Sequence, residues 1–277
     1  GVATVTISAA GTGYTTSNSL TSTVTTIANP NSHTGSYGFQ QLSDIGQLPI
    51  GYTAVNFKPN CSLAAYGRIW VANIASDEQT VYFSDLTDPL NFQTGPAGAL
   101  NISEVVGDGD PITAITEHNG FLIIFCTRHV VVYSNAQDPN NLTISDVVSG
   151  VGCIARDSVQ KTGTDVIFLS ETGTRSLMRV IQEKSAPLRD LSKNVRDDLL
   201  ADVASETDRA KIKAIYSPLD AFYVLSLPTV GKTYCFDTRT QLQDGASRVT
   251  TWDLTPTAFC ITTTNALYMG LEGYVGL

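Results

Sequence analysis

The sequence predicts an all-β fold, and three observations predict it. A strand–turn–strand unit recurs five times, at 62–73, 114–125, 158–169, 214–225 and 259–270. The unit starts are 52, 44, 56 and 45 residues apart. The turns carry hairpin chemistry, most plainly Asn119-Gly120, a pair suited to two successive positive φ angles. Four antiparallel strands repeated at roughly 40–50 residues are the mark of propeller blades. One such sheet cannot hide both apolar faces, so blades must stack around an axis. A sandwich would not need the same hairpin five times. The expected fold is therefore a β-propeller of four-stranded antiparallel blades, with a small Thr/Ser-rich β module at the N-terminus and one short helical insertion.

Taken in chain order, residues 1–57 form the front module. Thirteen of the first 30 residues are Ser or Thr. Val2, Thr4, Thr6 and Ser8 alternate with Ala3, Val5, Ile7 and Ala9, a period of two that suits a half-exposed strand. Gly11-Thr12-Gly13 reads as a turn, and 20–27 as a second strand. Residues 28–60 read as irregular chain. Asp44 is the sole Asp, Glu, Lys or Arg before Lys58, so the composition changes there and the blades are placed at 58–277.

In each blade unit the hairpin is followed by a third strand, near 80–84, 130–134, 175–180 and 233–237, with Tyr274 onward opening that of the fifth, incomplete unit. Tyr66-Gly67, Thr162-Gly163 and Leu219-Asp220 occupy the turn position filled by Asn119-Gly120. A fourth strand is expected at 100–106 (LNISEVV) and 142–148 (LTISDVV). The connector repeats too: Asp88-Pro89 and Asp138-Pro139 start turns, and Phe92 and Leu142 close them toward the core. Leu191, Val195, Leu199 and Val203 recur every four residues around Arg196, Asp197 and Asp198, an amphipathic helix that covers a blade edge or contacts another subunit. Ser205-Glu206-Thr207-Asp208 resembles a capping box for a further turn.

Composition excludes several classes. Hydrophobic residues make up 42% and charged residues 16%, which fits neither a disordered chain nor a coiled coil. No apolar run approaches the ~18 residues of a membrane helix. Because it begins on Gly1 and ends just after a Gly-Tyr turn, the chain is expected to be a piece of a longer polypeptide. Cys61, Cys126, Cys153, Cys235 and Cys260 have no metal-ligand spacing and are expected to be reduced thiols, with Cys126 and Cys260 in apolar strands. With 17 Lys+Arg against 26 Asp+Glu the net charge is −9, unsuited to tight sequence-independent nucleic-acid binding. Eleven of the 17 basic residues lie between Arg156 and Lys213.

A search for chemistry finds fragments. His118 and His129 flank one hairpin and are able to approach each other, but lack further ligands at zinc spacing. Asp108-Gly109-Asp110-Pro111 resembles an oxygen-rich ion loop without the closing Glu of an EF-hand, at a place where a blade-to-blade turn belongs. Glu117, Asp157, Glu171 and Asp253 offer carboxylates for glycoside hydrolysis, which needs a pair about 5–9 Å apart. Trp70 and Trp252 have the rings to stack on sugars, yet both sit in strand-like runs that favour core packing. Arg175, Arg179, Lys184, Arg189, Lys193 and Arg196 form a basic stretch broken by Glu183, Asp190, Asp197 and Asp198, without interleaved aromatics, and read as a solvated or intersubunit face. Asn101 and Asn141 head glycosylation-type triplets. No G-x-S-x-G, G-x-G-x-x-G or phosphate-binding loop occurs. No residue is assigned a catalytic, cofactor-binding or metal-binding role, no cofactor is called for, and the chain is read as a non-enzyme.

Several phrases carry a resemblance. Gly67-Arg68-Ile69-Trp70-Val71-Ala72, Val81-Tyr82-Phe83-Ser84-Asp85 followed by Asp88-Pro89-Leu90-Asn91-Phe92, Asp110-Pro111-Ile112-Thr113-Ala114-Ile115 and Phe121-Leu122-Ile123-Ile124-Phe125 resemble tail hub or nozzle proteins of short-tailed bacteriophages. So do Ala155-Arg156-Asp157-Ser158, Asp165-Val166-Ile167-Phe168-Leu169-Ser170 and Gly173. The resemblance spans about 62–277. It implies a structural virion protein of the tail, a homohexamer beneath portal and adaptor that retains packaged DNA, conducts it during ejection and docks tail fibres. It carries over no catalytic residue. The rival readings are a carbohydrate-binding or glycoside-cleaving propeller and a scaffold propeller with peptide partners.

Overall fold

The computed structural model describes residues 47–277 except 54, 87, 179–190, 243–244, 272–273 and 277. The chain divides into two compact units, Gly1–Asp44 and Ile45–Leu277. The strands expected in the front module lie outside the described residues.

Among the described residues, five antiparallel sheets follow one another along the chain, and no strand crosses from one to another. The first holds β1 (Cys61–Ala65), β2 (Arg68–Ile74), β3 (Asp77–Phe83) and β4 (Gly98–Asn101). The second holds β5 (Ile112–His118), β6 (Phe121–Cys126), β7 (His129–Ser134) and β8 (Thr143–Ser149). The third holds β9 (Gln160–Lys161), β10 (Val166–Ser170) and β11 (Gly173–Ser176). The fourth holds β12 (Lys213–Ser217), β13 (Phe222–Leu227), β14 (Lys232–Gln241) and β15 (Ser247–Trp252). The fifth holds β16 (Ala258–Ile261), β17 (Leu267–Leu271) and β18 (Tyr274–Gly276). Three sheets thus have the expected four strands, and the third and fifth have three among the described residues.

The two-residue period of the strands explains how the sheets stack. Side chains alternate between faces, so the continuous apolar run of β6 feeds two cores at once. Leu122, Ile124 and Cys126 join Trp70, Val81 and Phe83 of the first sheet. Ile123 and Phe125 join Val166 and Phe168 of the third. In β10, Ile167 and Leu169 turn the other way, onto Tyr223, Leu225 and Phe236 of the fourth sheet. Burying each such side chain stabilises the fold by about 1.5–3 kcal/mol. The first strands of neighbouring sheets lie side by side, β1 with β5, β9 with β12 and β12 with β16. They line an axis, and the sheets radiate from it as the blades of a β-propeller.

The two ends of the fan differ. The far face of the first sheet, built on Ile69, Val71 and Tyr82, is capped by Leu48, Tyr52, Phe57 and Phe92. The left-handed residue Asn73 (φ 59°) interrupts β2, so that Ile74 faces this cap with Val71 rather than the opposite core with Ala72. At the other end, the residues of β17 from Leu267 to Leu271 are all half-buried.

Local expectations hold unevenly. Asn119 and Gly120 take φ of 49° and 83°, and Tyr66 and Gly67 take 55° and 71°, the paired left-handed geometry of the tight hairpin. Leu219-Asp220 does not: the loop is longer, Ser217 pairs Phe222, and Ala221 carries the positive φ. The near-identical LNISEVV and LTISDVV also diverge. The second is a strand, β8, as expected. The first leaves the sheet at Asn101, whose side-chain oxygen accepts from Ser103 N at 2.8 Å and starts the helical turn α1 (Ser103–Val106). The expected helix is present only over its second half, as α2 (Arg196–Ser205), with Leu199 and Val203 buried in the core shared by the third and fourth sheets. Leu191 lies in a turn and Val195 in the 3-10 turn Lys193–Val195 before it. Ser205 ends that helix rather than capping the next turn, a 3-10 turn at Arg209–Lys211 that is capped by Asp208 accepting from Ala210 N. Among the described residues, no helix is long and apolar enough to cross a membrane.

Candidate functional site

The innermost strands of all five sheets, with the residues just before them, line an open cavity of about 700 Å3. Its lining is more polar than apolar, with Ser62, Thr116, Gln160 and Thr257 beside Ile115 and Ile215. Against them stand three charged side chains, Arg156, Asp157 and Lys213.

A rigid turn presents the first two. Arg156–Ser158 is a single 3-10 turn between Ala155 and β9. Ser158 is fully buried and fixes it: its hydroxyl donates to Ala155 O at 2.6 Å and accepts from Leu169 N at 3.0 Å. From the fourth sheet, the Tyr223 hydroxyl donates to Ser158 O at 2.8 Å. The turn is therefore bolted to β10 and β13, and its two charged side chains project toward the axis.

Asp157 lies between two cations. Arg156 donates Nε to Oδ1 at 2.7 Å and Nη2 to Oδ2 at 3.2 Å. Lys213 donates Nζ to Oδ2. Arg156 Nη1 also donates to Asn60 O, just before β1, so one guanidinium ties the first sheet to the third. Burial pushes the Asp157 carboxyl up, but the hydrogen bonds and charges of Arg156 and Lys213 outweigh it and hold it below the usual carboxylate range. The hydrogen bond to Asp157 in turn raises Arg156. A second pair, Lys161 with Glu117, links β9 to β5. An ionised, doubly clamped carboxylate is suited to holding groups in place and unsuited to donating a proton.

No family model matches the chain, and no curated protein matches it. Among solved structures, a computationally designed protein, Ika8, is similar at 15% identity and a TM-score of 0.44, covering 77% of this chain and 56% of that one. The Pan2 WD40 domain of Neurospora crassa is similar at 8% identity and a TM-score of 0.40, covering 78% of this chain and 60% of that one. The chain thus spans less than two thirds of the length of either.

The other sequence candidates are dispersed. Glu171 is exposed in the turn between β10 and β11, and Asp253 is exposed beyond β15. Of the four carboxylates considered for glycoside cleavage, Asp157 and Glu117 are each committed to cations. Trp70 is fully buried against Phe83 and donates Nε1 to Ala65 O at 3.1 Å, so its ring has no free face. Trp252 is half-buried at the end of the outermost strand of its sheet.

The two histidines do not approach. His118 pairs with Phe121 at one end of the second sheet, whereas His129 starts β7 beyond Cys126 at the other. The length of β6 separates them by roughly 16 Å. His129 Nδ1 instead meets Asp110 Oδ2 at 2.6 Å, and Asp110 Oδ1 accepts from Arg128 N at 3.0 Å. The Asp108–Pro111 loop is thus a turn pinned to β7, and no group of metal-ligating side chains occurs among the described residues. Arg175, expected on a solvated face, is buried and donates to the Thr172 hydroxyl. Arg179, Lys184 and Arg189 lie outside the described residues. The amides of Asn101 and Asn141 are engaged by Thr80 and Asp138.

Sequence reasoning passed over Arg156 and Lys213 as a pair. The available signal was positional: each lies immediately before or at the start of a repeat's first strand, the strand that lines the axis. It also missed Arg68, which is buried, lies over the Phe83 ring and donates Nη1 to Ser84 O at 2.6 Å.

Proposed function

We propose that this protein is a structural element of a virion, a stiff propeller within the tail nozzle or hub of a short-tailed bacteriophage. The observation that carries the reading is the asymmetry of the fan. Three continuous apolar cores join the first four sheets, and an aromatic cap closes the outer face of the first. The fifth sheet keeps half-exposed side chains along β17. Among the described residues the fan is capped at one end and half-exposed at the other, which favours a surface packed against further protein. The phrases at 67–72, 81–92 and 110–125 that resemble nozzle proteins lie on the first two sheets.

In this reading the subunit is a homohexamer around a lumen, beneath an adaptor and carrying tail fibres. Tightly packed blades give the ring its stiffness, and closed cyclic symmetry gives the lumen. The net charge of −9 limits adhesion of passing phosphate. Native mass spectrometry followed by particle imaging tests the reading. A sixfold ring is expected; a monomer at assembly concentrations, or release of reducing sugar with turnover, overturns it. Reversing acidic residues found to line the lumen is expected to slow ejection.

A further inference from the structure

We propose that the axial cavity is a binding site for a small oxyanion, a carboxylate or phosphate group carried on a compact molecule, with Arg156 and Lys213 as its ligands. The inference does not rest on the tail-nozzle reading, because it uses only the interior of the fan.

Charge is the first support. In a chain with a net charge of −9, the cavity collects two cations and one carboxylate, a local balance of +1. The side chains are partly withdrawn from solvent, Arg156 to 44% and Lys213 to 29% exposure. Partial withdrawal from water strengthens their field over that of a free surface charge.

Donor accounting is the second. A guanidinium carries five N–H groups and an ammonium three. Arg156 uses one each from Nε, Nη1 and Nη2, on Asp157 and Asn60 O. Lys213 uses one, on Asp157. Four N–H groups on the two cations therefore have no protein acceptor. Both Asp157 oxygens are already occupied by these same cations, so the carboxylate orients them rather than competing for the remaining donors.

Preorganisation is the third. The turn holding Arg156 is fixed by buried Ser158 and Tyr223, and the guanidinium is fixed at Asn60 O. Little side-chain entropy remains to be lost on binding. The polar lining, with Ser62, Thr116, Gln160 and Thr257, suits a compact hydrophilic body on the charged head. A small dicarboxylic acid and inorganic phosphate share the required head-group chemistry, and a cavity of about 700 Å3 admits both.

The test is calorimetric titration of the extensively dialysed full chain with succinate and, separately, inorganic phosphate, at low ionic strength. Saturable one-site binding of at least one probe is expected. Lys213→Met is expected to weaken it about ten-fold or more, since it removes a charged donor; losing the bond to Asp157 also lowers stability, so affinity is measured well below the variant's unfolding transition. Asp157→Asn separates binding from mere packing: it raises the local charge to +2, so anion affinity is expected to stay equal or rise even if stability falls. If binding rests on phosphate alone, the site selects phosphate groups; if succinate binds as well, it accepts carboxylates too. Absence of saturable heat for both probes up to about 10 mM, or undiminished affinity in a folded Lys213→Met chain, overturns the proposal.

Discussion

Phe125 of β6 and Phe168 of β10 meet across the second and third blades, with ring centroids 4.9 Å apart and planes inclined by 56°. Both are fully buried, among Ile123, Val130, Val148 and Val166. The contact exists because each ring projects from an odd-even set of its strand that faces the neighbouring blade. Truncating either ring leaves a cavity that the surrounding strands cannot collapse into, since each is held by its own ladder. Phe168→Ala is expected to cost about 3–5 kcal/mol. In urea denaturation the midpoint should fall with little change of slope. A loss below about 1 kcal/mol would mean that the blades do not pack through this face.

Two glycines separate backbone strain from steric exclusion. Gly120 has φ 83°, and a Cβ there would meet nothing within 4 Å. Gly120→Ala should therefore cost only the left-handed penalty, about 1–2 kcal/mol. Gly152 is buried on the crossing from the second to the third blade, and a Cβ there would overlap the backbone of Cys126 and Thr127. Cys153 N donates to Cys126 O at 2.9 Å in the same place, so the two segments cannot separate without losing that bond. Gly152→Ala should destabilise by well over the Gly120→Ala penalty, and denaturation of the two variants side by side checks the order.

Much of this architecture was legible in the chain, and the limits of legibility are physical. Blade stacking follows from the apolar hairpin that recurs along the chain, and Asn119-Gly120 specifies its turn locally. LNISEVV and LTISDVV defeat such reading, because one side-chain oxygen, that of Asn101, redirects the backbone into α1. The half-exposed fifth sheet looked like any other apolar repeat, since burial depends on what lies opposite. The axial cluster was hidden for another reason: Asp157 and Lys213 are 56 residues apart and meet only when the third and fourth blades share an axis. Sequence spacing records strands well and the meeting of separate strands poorly.

Two carboxylates give stability a defined pH dependence. Burial pushes Asp157 and Asp202 up, but hydrogen bonds outweigh it, from Arg156 and Lys213 in the first case and from Lys232 and Tyr234 in the second, and both end below the usual range. The unfolded chain titrates near pH 4. Below that value the unfolded state takes up protons that the native state refuses, so the contribution is complete above about pH 4–5 and is lost as pH falls further. The stability difference between the parent chain and Asp202→Asn should be constant from pH 6 to 8 and shrink below about pH 4. A difference that grows on acidification would reverse the assigned sign.

Cysteine reactivity reports on the open end of the fan. Cys61, Cys126, Cys153 and Cys235 are buried, whereas Cys260, on β16, is exposed. The expectation that Cys260 is a core thiol fails because nothing among the described residues covers that side of the fifth sheet as fully as the inner blades cover one another. Burial pushes Cys61 up to about 12 and Cys153 and Cys235 up to about 11, which removes thiolate as well as access. Because the thiolate is the nucleophile, a disulfide reagent at pH 8 should label Cys260 quickly and the other four thiols only on unfolding. Cys260→Ser should abolish the fast phase and leave the slow one. Repeating the labelling across a concentration series extends the test to assembly: if another subunit completes the fan, the fast phase should slow as the complex forms, in step with the mass. A fast phase that persists in the assembled particle would place the subunit contacts elsewhere and leave the fifth sheet facing solvent.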